Sequence, residues 1–482
     1  MRETRLSGSE GGAPIASLPL SESWEICEHA SVSKLLFNRR ICALLCPHMQ
    51  NEGPDPKLIE TSVTDIRRKI LTKEIGIRIP TEIAKTHRNL SPGHNTYLAT
   101  GDEDIERQLD QLVSPDQAPL AGVPISIKDC FDVTGYPTST GSRFYQEQSG
   151  ICAADSGVAR RVRSAGGIIM GKTHLNQLAY GLTGENLDFG NCLQPANPTW
   201  LTGGSSSGAA ASILEGSAMC AIGTDTGGSI RFPASLCGLC GFRASLGVAS
   251  WKGGRHLAES FDTIGFLFRH LEDALLLGET IFELPRPRTA PRFQRIGVVE
   301  GNFLRDAEPE VIAGAAGWSR ILEQRGFSLE HFAPIDWEEA LEVFRPVQAA
   351  EAAKIHAGNF DKFEPEIGAR LEWGASLPQN ELDTLRERRD LFVQRMQELF
   401  SRYDFLLLPT APIARLENGL DHRPARDRIL RYTTPVSVAG LPCLALPNRV
   451  GGTQLAAPHG ADRELLQLAA LLARPLRVGR DR

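Results

Sequence analysis

No apolar run in this chain reaches the ~20 residues that a membrane-spanning helix requires. The opening segment, MRETRLSGSEGGAPIASLPLSES, also lacks the apolar centre of a secretory signal, so a cytoplasmic setting is expected. Positive charge is not in excess: 52 Lys and Arg face 58 Asp and Glu, giving a net charge of −6. Neither nucleic acid nor a membrane is therefore an expected partner. The eleven histidines fall into no HExxH-like spacing, and no metal is expected. The ten cysteines are scattered, with Cys220 and Cys443 inside apolar runs, which reads as reduced, buried thiols. Cys237-Gly-Leu-Cys240 has no second pair with which to bind zinc, and no redox role is assigned to it. Internal repeats and low-complexity tracts are absent too.

What is present is an ordinary globular composition, 41% hydrophobic and 23% charged, with glycine concentrated in two loops. They bound the stretch Thr202 to Pro233, TGGSSSGAAASILEGSAMCAIGTDTGGSIRFP. A Gly-Gly-Ser-Ser-Ser-Gly loop leads through a small-residue helix and a strand into Gly-Thr-Asp-Thr-Gly-Gly-Ser. Consecutive amide N–H groups in such a turn form an anion nest, and a helix start at Ser229 would add its positive dipole end. A hydroxyl beside backbone donors is what acyl transfer needs. Upstream, Val123, Ile125 and Ile127 alternate with Pro124, Ser126 and Lys128, so Lys128 closes a mostly apolar strand running from Leu120 to Asp129.

These motifs together resemble the amidase signature family. Gly204-Ser205-Ser206 matches one family loop, Gly223-Thr-Asp-Thr-Gly-Gly-Ser229-Ile-Arg matches its nucleophile loop, and Ile125-Ser-Ile-Lys128-Asp129 matches its lysine strand. Ser205 and Ser229 stand 24 positions apart (229 − 205), as in the family. Further matches lie at Gly241-Phe-Arg-Ala-Ser245, Ser260-Phe-Asp-Thr-Ile-Gly265 and Tyr432-Thr-Thr-Pro-Val-Ser-Val-Ala-Gly-Leu-Pro442. The resemblance implies an α/β fold, a layered sheet of mixed strands covered by helices on both faces. It divides the chain into an N-terminal extension at 1–60, whose order is left open, a signature domain at 61–475 and a tail at 476–482.

The resemblance also implies the chemistry. Ser229 would be the nucleophile, Lys128 the base, and Ser205 the relay between them, with a cis peptide bond joining Gly204 to Ser205. Backbone N–H groups of Thr226, Gly227, Gly228 and Ser229 would form the oxyanion hole. Ser206 and Ser207 would support the relay, while Asp225 and Arg231 brace the loop. A lysine serves as a base only when neutral, and apolar walls lower its pKa from about 10.4. No cofactor is needed. The partner expected is a small-molecule amide, with homodimer formation left open.

Elsewhere the chain is read in order. Helical patterns cover Val63 to Thr72, Pro80 to Arg88 and Asp102 to Leu112. Asp155 is the expected N-cap of a helix that ends at Gly166-Gly167 before an apolar strand. Gly166-Gly-Ile-Ile-Met-Gly171-Lys172-Thr173 formally fits G-x-x-x-x-G-K-[ST], but a P-loop needs a strand before its first glycine. Here a helix precedes, and Ile168 to Met170 is itself a strand, so no nucleotide is expected; His174 is read as structural. Ser31-Val-Ser-Lys34 fits SxxK without its companion motifs. Long helices follow near Trp337 to Gly358, interrupted at Pro346, and at Leu382 to Arg402. The segment Arg449 to His459 is shorter than the family's, which leaves the far edge of the sheet open.

Three functions compete. Hydrolysis of an amide by a free-standing amidase leads, with a neutral apolar or aryl acyl group favoured because Phe131, Tyr180, Leu182, Phe189 and Phe232 lie near the motifs. An amidotransferase A-type subunit shares the triad, but Phe232 stands where those subunits carry Gln. A catalytically inactive binding homologue is opposed by the intact Lys128, Ser205 and Ser229.

Overall fold

The computed structural model describes residues 55–91, 93–112, 116–284 and 294–474. The SxxK match at Ser31–Lys34 and the tail at 476–482 lie outside the described residues. The strands are β1 (Tyr97–Ala99), β2 (Pro124–Lys128), β3 (Ile168–Thr173), β4 (Leu193–Gln194), β5 (Asn197–Leu201), β6 (Cys220–Asp225) and β7 (Cys240–Arg243). They continue with β8 (Thr263–Phe268), β9 (Arg295–Val299), β10 (Ser328–Phe332), β11 (Phe405–Pro409), β12 (Cys443–Leu446) and β13 (Thr453–Ala456). Among the described residues, eleven of them form one mixed sheet in the order β1-β3-β2-β6-β8-β7-β12-β13-β11-β9-β10, and β4 pairs with β5 apart from it.

Both faces of this sheet are covered, so its strands are apolar almost continuously. Strand alternation divides the side chains between two cores. Phe405 and Leu407 join Ile125, Ile127, Phe242 and Phe266 on one side. Leu406 and Leu408 join Phe344, Leu430 and Tyr432 on the other. The first core is closed by helices such as Val63–Leu71, Gly157–Ser164 and Asp462–Leu472, and the second by Glu339–Ile355, Gln379–Arg402 and Arg423–Val438. This is the mixed, helix-covered layered sheet expected.

Several boundaries differ from expectation for local reasons. The domain edge expected at residue 60 falls too late, because Leu58 and Ile59 in the 3-10 turn Pro56–Glu60 are buried in the first core. Ser156, not Asp155, caps Gly157–Ser164: its hydroxyl accepts from Ala159 N–H at 3.3 Å. Asp155 instead accepts from Thr134 N–H and Arg163 Nε. Glu339–Ile355 runs through Pro346 without a break, since buried Val343, Phe344, Val347 and Ala349 hold both halves against the core. The compressed segment 449–459 is not an edge at all. It supplies β13, a strand inside the sheet between β12 and β11. The P-loop look-alike is strand β3, as its sequence context implied, and Lys172 there is buried against Asp129 at 2.5 Å.

The helix Val63–Leu71 is held by a residue 210 positions away. Asp273 accepts from Val63 N–H at 2.9 Å and from Thr64 N–H and hydroxyl, each at 2.8 Å. Replacing Asp273 with Ala should leave two N–H groups of the first helical turn unpaired beside the core. A loss of about 2 kcal/mol is expected, read from the shift in urea midpoint at constant slope.

Candidate active site

Strands β2 and β6 run side by side and parallel, with Ile127 opposite Ile222. Their C-terminal ends therefore open at one edge and deliver Lys128 and Thr224 to the same place. The loop before helix Ser207–Leu214 reaches that place as well, with a cis Gly204–Ser205 peptide bond. Gly204 permits this close approach: a Cβ there would lie 2.1 Å from Asn176 Oδ1.

Lys128 is fully buried, and its Nζ reaches three hydroxyls: Ser205 Oγ at 2.8 Å, Ser206 Oγ at 3.1 Å and Thr224 Oγ1 at 2.7 Å. Among the described residues no carboxylate pairs with it. Burial pushes its pKa down to about 8, against the opposing pull of Cys130, Asp262 and Asp225. A neutral amine in this position donates to two hydroxyls and accepts from the third, so it can take a proton from a serine. Ser206 also donates to Thr224 O at 3.2 Å, and its N–H donates to Ser229 O at 3.2 Å. That bond joins the two glycine-rich loops. Ser207 turns away to His174, whose two ring nitrogens meet Ser207 Oγ and Gly190 O, each at 2.8 Å. Burial pushes His174 down to about 4, which suits a neutral structural residue.

The loop carrying Ser229 is wrapped around Asp225. Its carboxylate accepts from the N–H groups of Gly228, Ile230 and Arg231, from Arg231 Nε and Nη2, and from Arg243 Nη1, all at 2.9 to 3.3 Å. Burial alone would raise the Asp225 pKa, but the two arginines hold it well below the usual carboxylate range. The donors at the start of helix Arg231–Leu236 are thus taken up by the protein itself. Gly228 is changed from expectation for the same reason: its N–H belongs to Asp225 Oδ1. The N–H groups of Thr226, Gly227 and Ser229 have no acceptor among the described residues. Gly228 holds φ at 118°, and a Cβ there would press on Thr433 at 2.8 Å.

Ser229 lines a narrow cleft together with Gly227, Tyr180, Leu182, Leu257, Gln348, Arg426 and Leu430. Of the aromatic and apolar groups expected near the motifs, Tyr180 and Leu182 line it. Phe232 is fully buried in the second core, and Phe131 packs against Trp251 at 5.6 Å. Phe189 lies under Arg143 at 5.4 Å. Sequence reasoning singled out neither Thr224, nor Arg243, nor Gln348 and Arg426. Thr224 stood inside the quoted loop and Arg243 inside a quoted match. Gln348 and Arg426 belong to helices far along the chain, and nothing local marks them.

Known proteins are similar to this chain. The Amidase family model matches residues 84–466. A 2-amino-5-chloromuconic acid deaminase from Comamonas testosteroni is 31% identical, over 84% of this chain and 93% of that protein. The A-type subunit of a glutamyl-tRNA(Gln) amidotransferase from Akkermansia muciniphila is 29% identical, over 86% of this chain and 99% of its own length. A solved structure described as an amidase superimposes with a TM-score of 0.77 at 27% identity, covering 86% of this chain and 99% of its own.

Asp225 offers the sharpest structural test of this loop. Asp225→Ala would strand two buried guanidinium groups, and a loss of about 3–5 kcal/mol is expected in chemical denaturation. The wild-type contribution is complete above the unfolded pKa near 4 and is lost as pH falls through the lower folded value. The stability gap between wild type and variant should therefore narrow in acid.

Proposed function

The chain belongs to the amidase signature family, whose members hydrolyse carbon–nitrogen bonds, and we propose that it cleaves an amide through an acyl-enzyme on Ser229. The observation that carries this reading is a fully buried lysine with a lowered pKa, bonded to hydroxyls alone, one of them Ser205. In the forward step Ser229 Oγ attacks the amide carbon as its proton passes through Ser205 Oγ to neutral Lys128. The oxyanion forms near the unpaired N–H groups of Thr226, Gly227 and Ser229, which need no reorganisation to meet it. Collapse breaks the carbon–nitrogen bond, and the proton held by Lys128 returns through Ser205 to the departing ammonia or amine. Water, deprotonated along the same path, then releases the acid and restores Ser229. Ser206, Asp225 and Arg231 keep the two loops in place, and the steps draw on protein groups and water.

The preference expected for a neutral apolar acyl group is set aside. It rested on five apolar or aromatic residues near the motifs, of which Tyr180 and Leu182 line the cleft, and Arg426 lines it with them. An A-type amidotransferase subunit, as several relatives are described, would share the first half-reaction and pass its ammonia onward. Release of free ammonia by the purified chain alone separates the two.

Ser229→Ala and Lys128→Ala should each lower kcat for ammonia release by at least ~10³-fold with little change in Tm, and the double variant should be hardly worse than either. Ser205→Ala should be strongly impaired as well. In the wild type, kcat/KM should fall about tenfold per pH unit below pH 8 and level off above it, because the base acts in its neutral form. A flat profile between pH 6 and 9 would remove Lys128 from the role.

A further inference from the structure

Arg426 has no adequate anion. Its Nε is buried without a hydrogen-bond partner, and its ion pair with Asp427 is stretched to 3.8 Å. The other oxygen of Asp427 pairs with Arg345 at 2.9 Å, so two arginines share that carboxylate. Arg370 shares the Tyr180 ring with Arg426, at 5.3 and 5.9 Å from its centroid, but is already committed to Glu366 and to Tyr180 O. Three guanidinium groups thus meet two carboxylates, and the most weakly paired one lines the cleft that holds Ser229. Burial pushes Arg426 down to about 10, yet it remains cationic at neutral pH.

We propose that Arg426 receives a carboxylate of the substrate, so that the amide cleaved at Ser229 belongs to a short acid monoamide. The proposal rests on the reading of Ser229 as nucleophile. A planar guanidinium takes a carboxylate through two parallel hydrogen bonds, and the apolar walls from Leu182, Leu257 and Leu430 strengthen the pairing by excluding water. A weakly paired cation in such a place is costly, and a substrate anion lowers that cost on binding. Hydrolysis then joins one water to the monoamide and yields ammonia and a dicarboxylic acid.

The test uses matched pairs: malonamate, succinamate and glutaramate against their neutral diamides, assayed for ammonia release. The wild-type enzyme should favour at least one carboxylate member. Arg426→Gln should lower that preference, the ratio of kcat/KM values, by about 10- to 100-fold, and Arg426→Lys by less. A wild-type preference for the neutral member of every pair, or an equal loss on both members in a variant of unchanged Tm, overturns the proposal. Calorimetry with Ser229→Ala separates it from the catalytic reading. The favoured monoamide should bind that variant and lose at least tenfold affinity in Ser229→Ala/Arg426→Gln. Arg426-dependent binding without turnover in the wild type would sink the nucleophile and keep the anion site. Turnover indifferent to Arg426 would do the reverse.

Discussion

The buried carboxylate of Asp225 is the constraint on which the site depends. A carboxylate is stable away from water only when its oxygens are saturated, and here three backbone N–H groups and two arginines do so. Each partner carries a piece of the fold with it. Arg231 goes on to Thr433 O, Gln454 Oε1 and Ser437 Oγ, while Arg243 reaches Leu441 O and Phe261 O. The loop holding Ser229 is thereby tied to β13 and to helix Arg423–Val438. That helix also presents Leu430 and Arg426 to the cleft. The same network that fixes the loop of Ser229 thus also fixes part of the cleft wall.

Lys128 and Asp225 are both fully buried, and their surroundings push them in opposite directions. Asp225 faces arginines and stays charged. Lys128 faces hydroxyls, and burial is met by no directly bonded counter-charge, so its neutral form becomes accessible near physiological pH. Had Asp225 or Asp262 reached Nζ, the lysine would be held protonated and could not serve as a base. These carboxylates are kept on other partners, the arginines for Asp225 and Thr226, His256 and two backbone N–H groups for Asp262.

Much of this was legible in the chain. The apolar alternation before Lys128, the two glycine loops and their spacing depend on short-range backbone requirements, and these leave local marks. Helix ends proved less legible: Ser156 and Asp155 are both good caps, and the choice between them was made by Thr134 and Arg163, which give Asp155 other work. The run through Pro346 shows the same thing in a helix interior, where packing outweighs a missing N–H. The short segment 449–459 suggested an altered edge, yet Gln454 on it meets Arg231, Pro409 and Tyr432 in the centre of the sheet.

The sequence by itself determined which residues can do chemistry: a lysine ending an apolar strand, serines in glycine loops, and an acid and an arginine bracing them. Only the tertiary structure decided which of their groups are free. The N–H of Gly228 is consumed by Asp225, Phe232 is buried in the core, and Thr224 joins Ser205 and Ser206 around Lys128. The cation in the cleft was decided in the same way. Arg426 resembles any other arginine in a charged helix until Arg345 and Arg370 make the shorter pairs with Asp427 and Glu366 and leave Arg426 at 3.8 Å from Asp427. Whether a charge is paired depends on partners brought from distant parts of the chain, and that pairing exists only once the chain has folded.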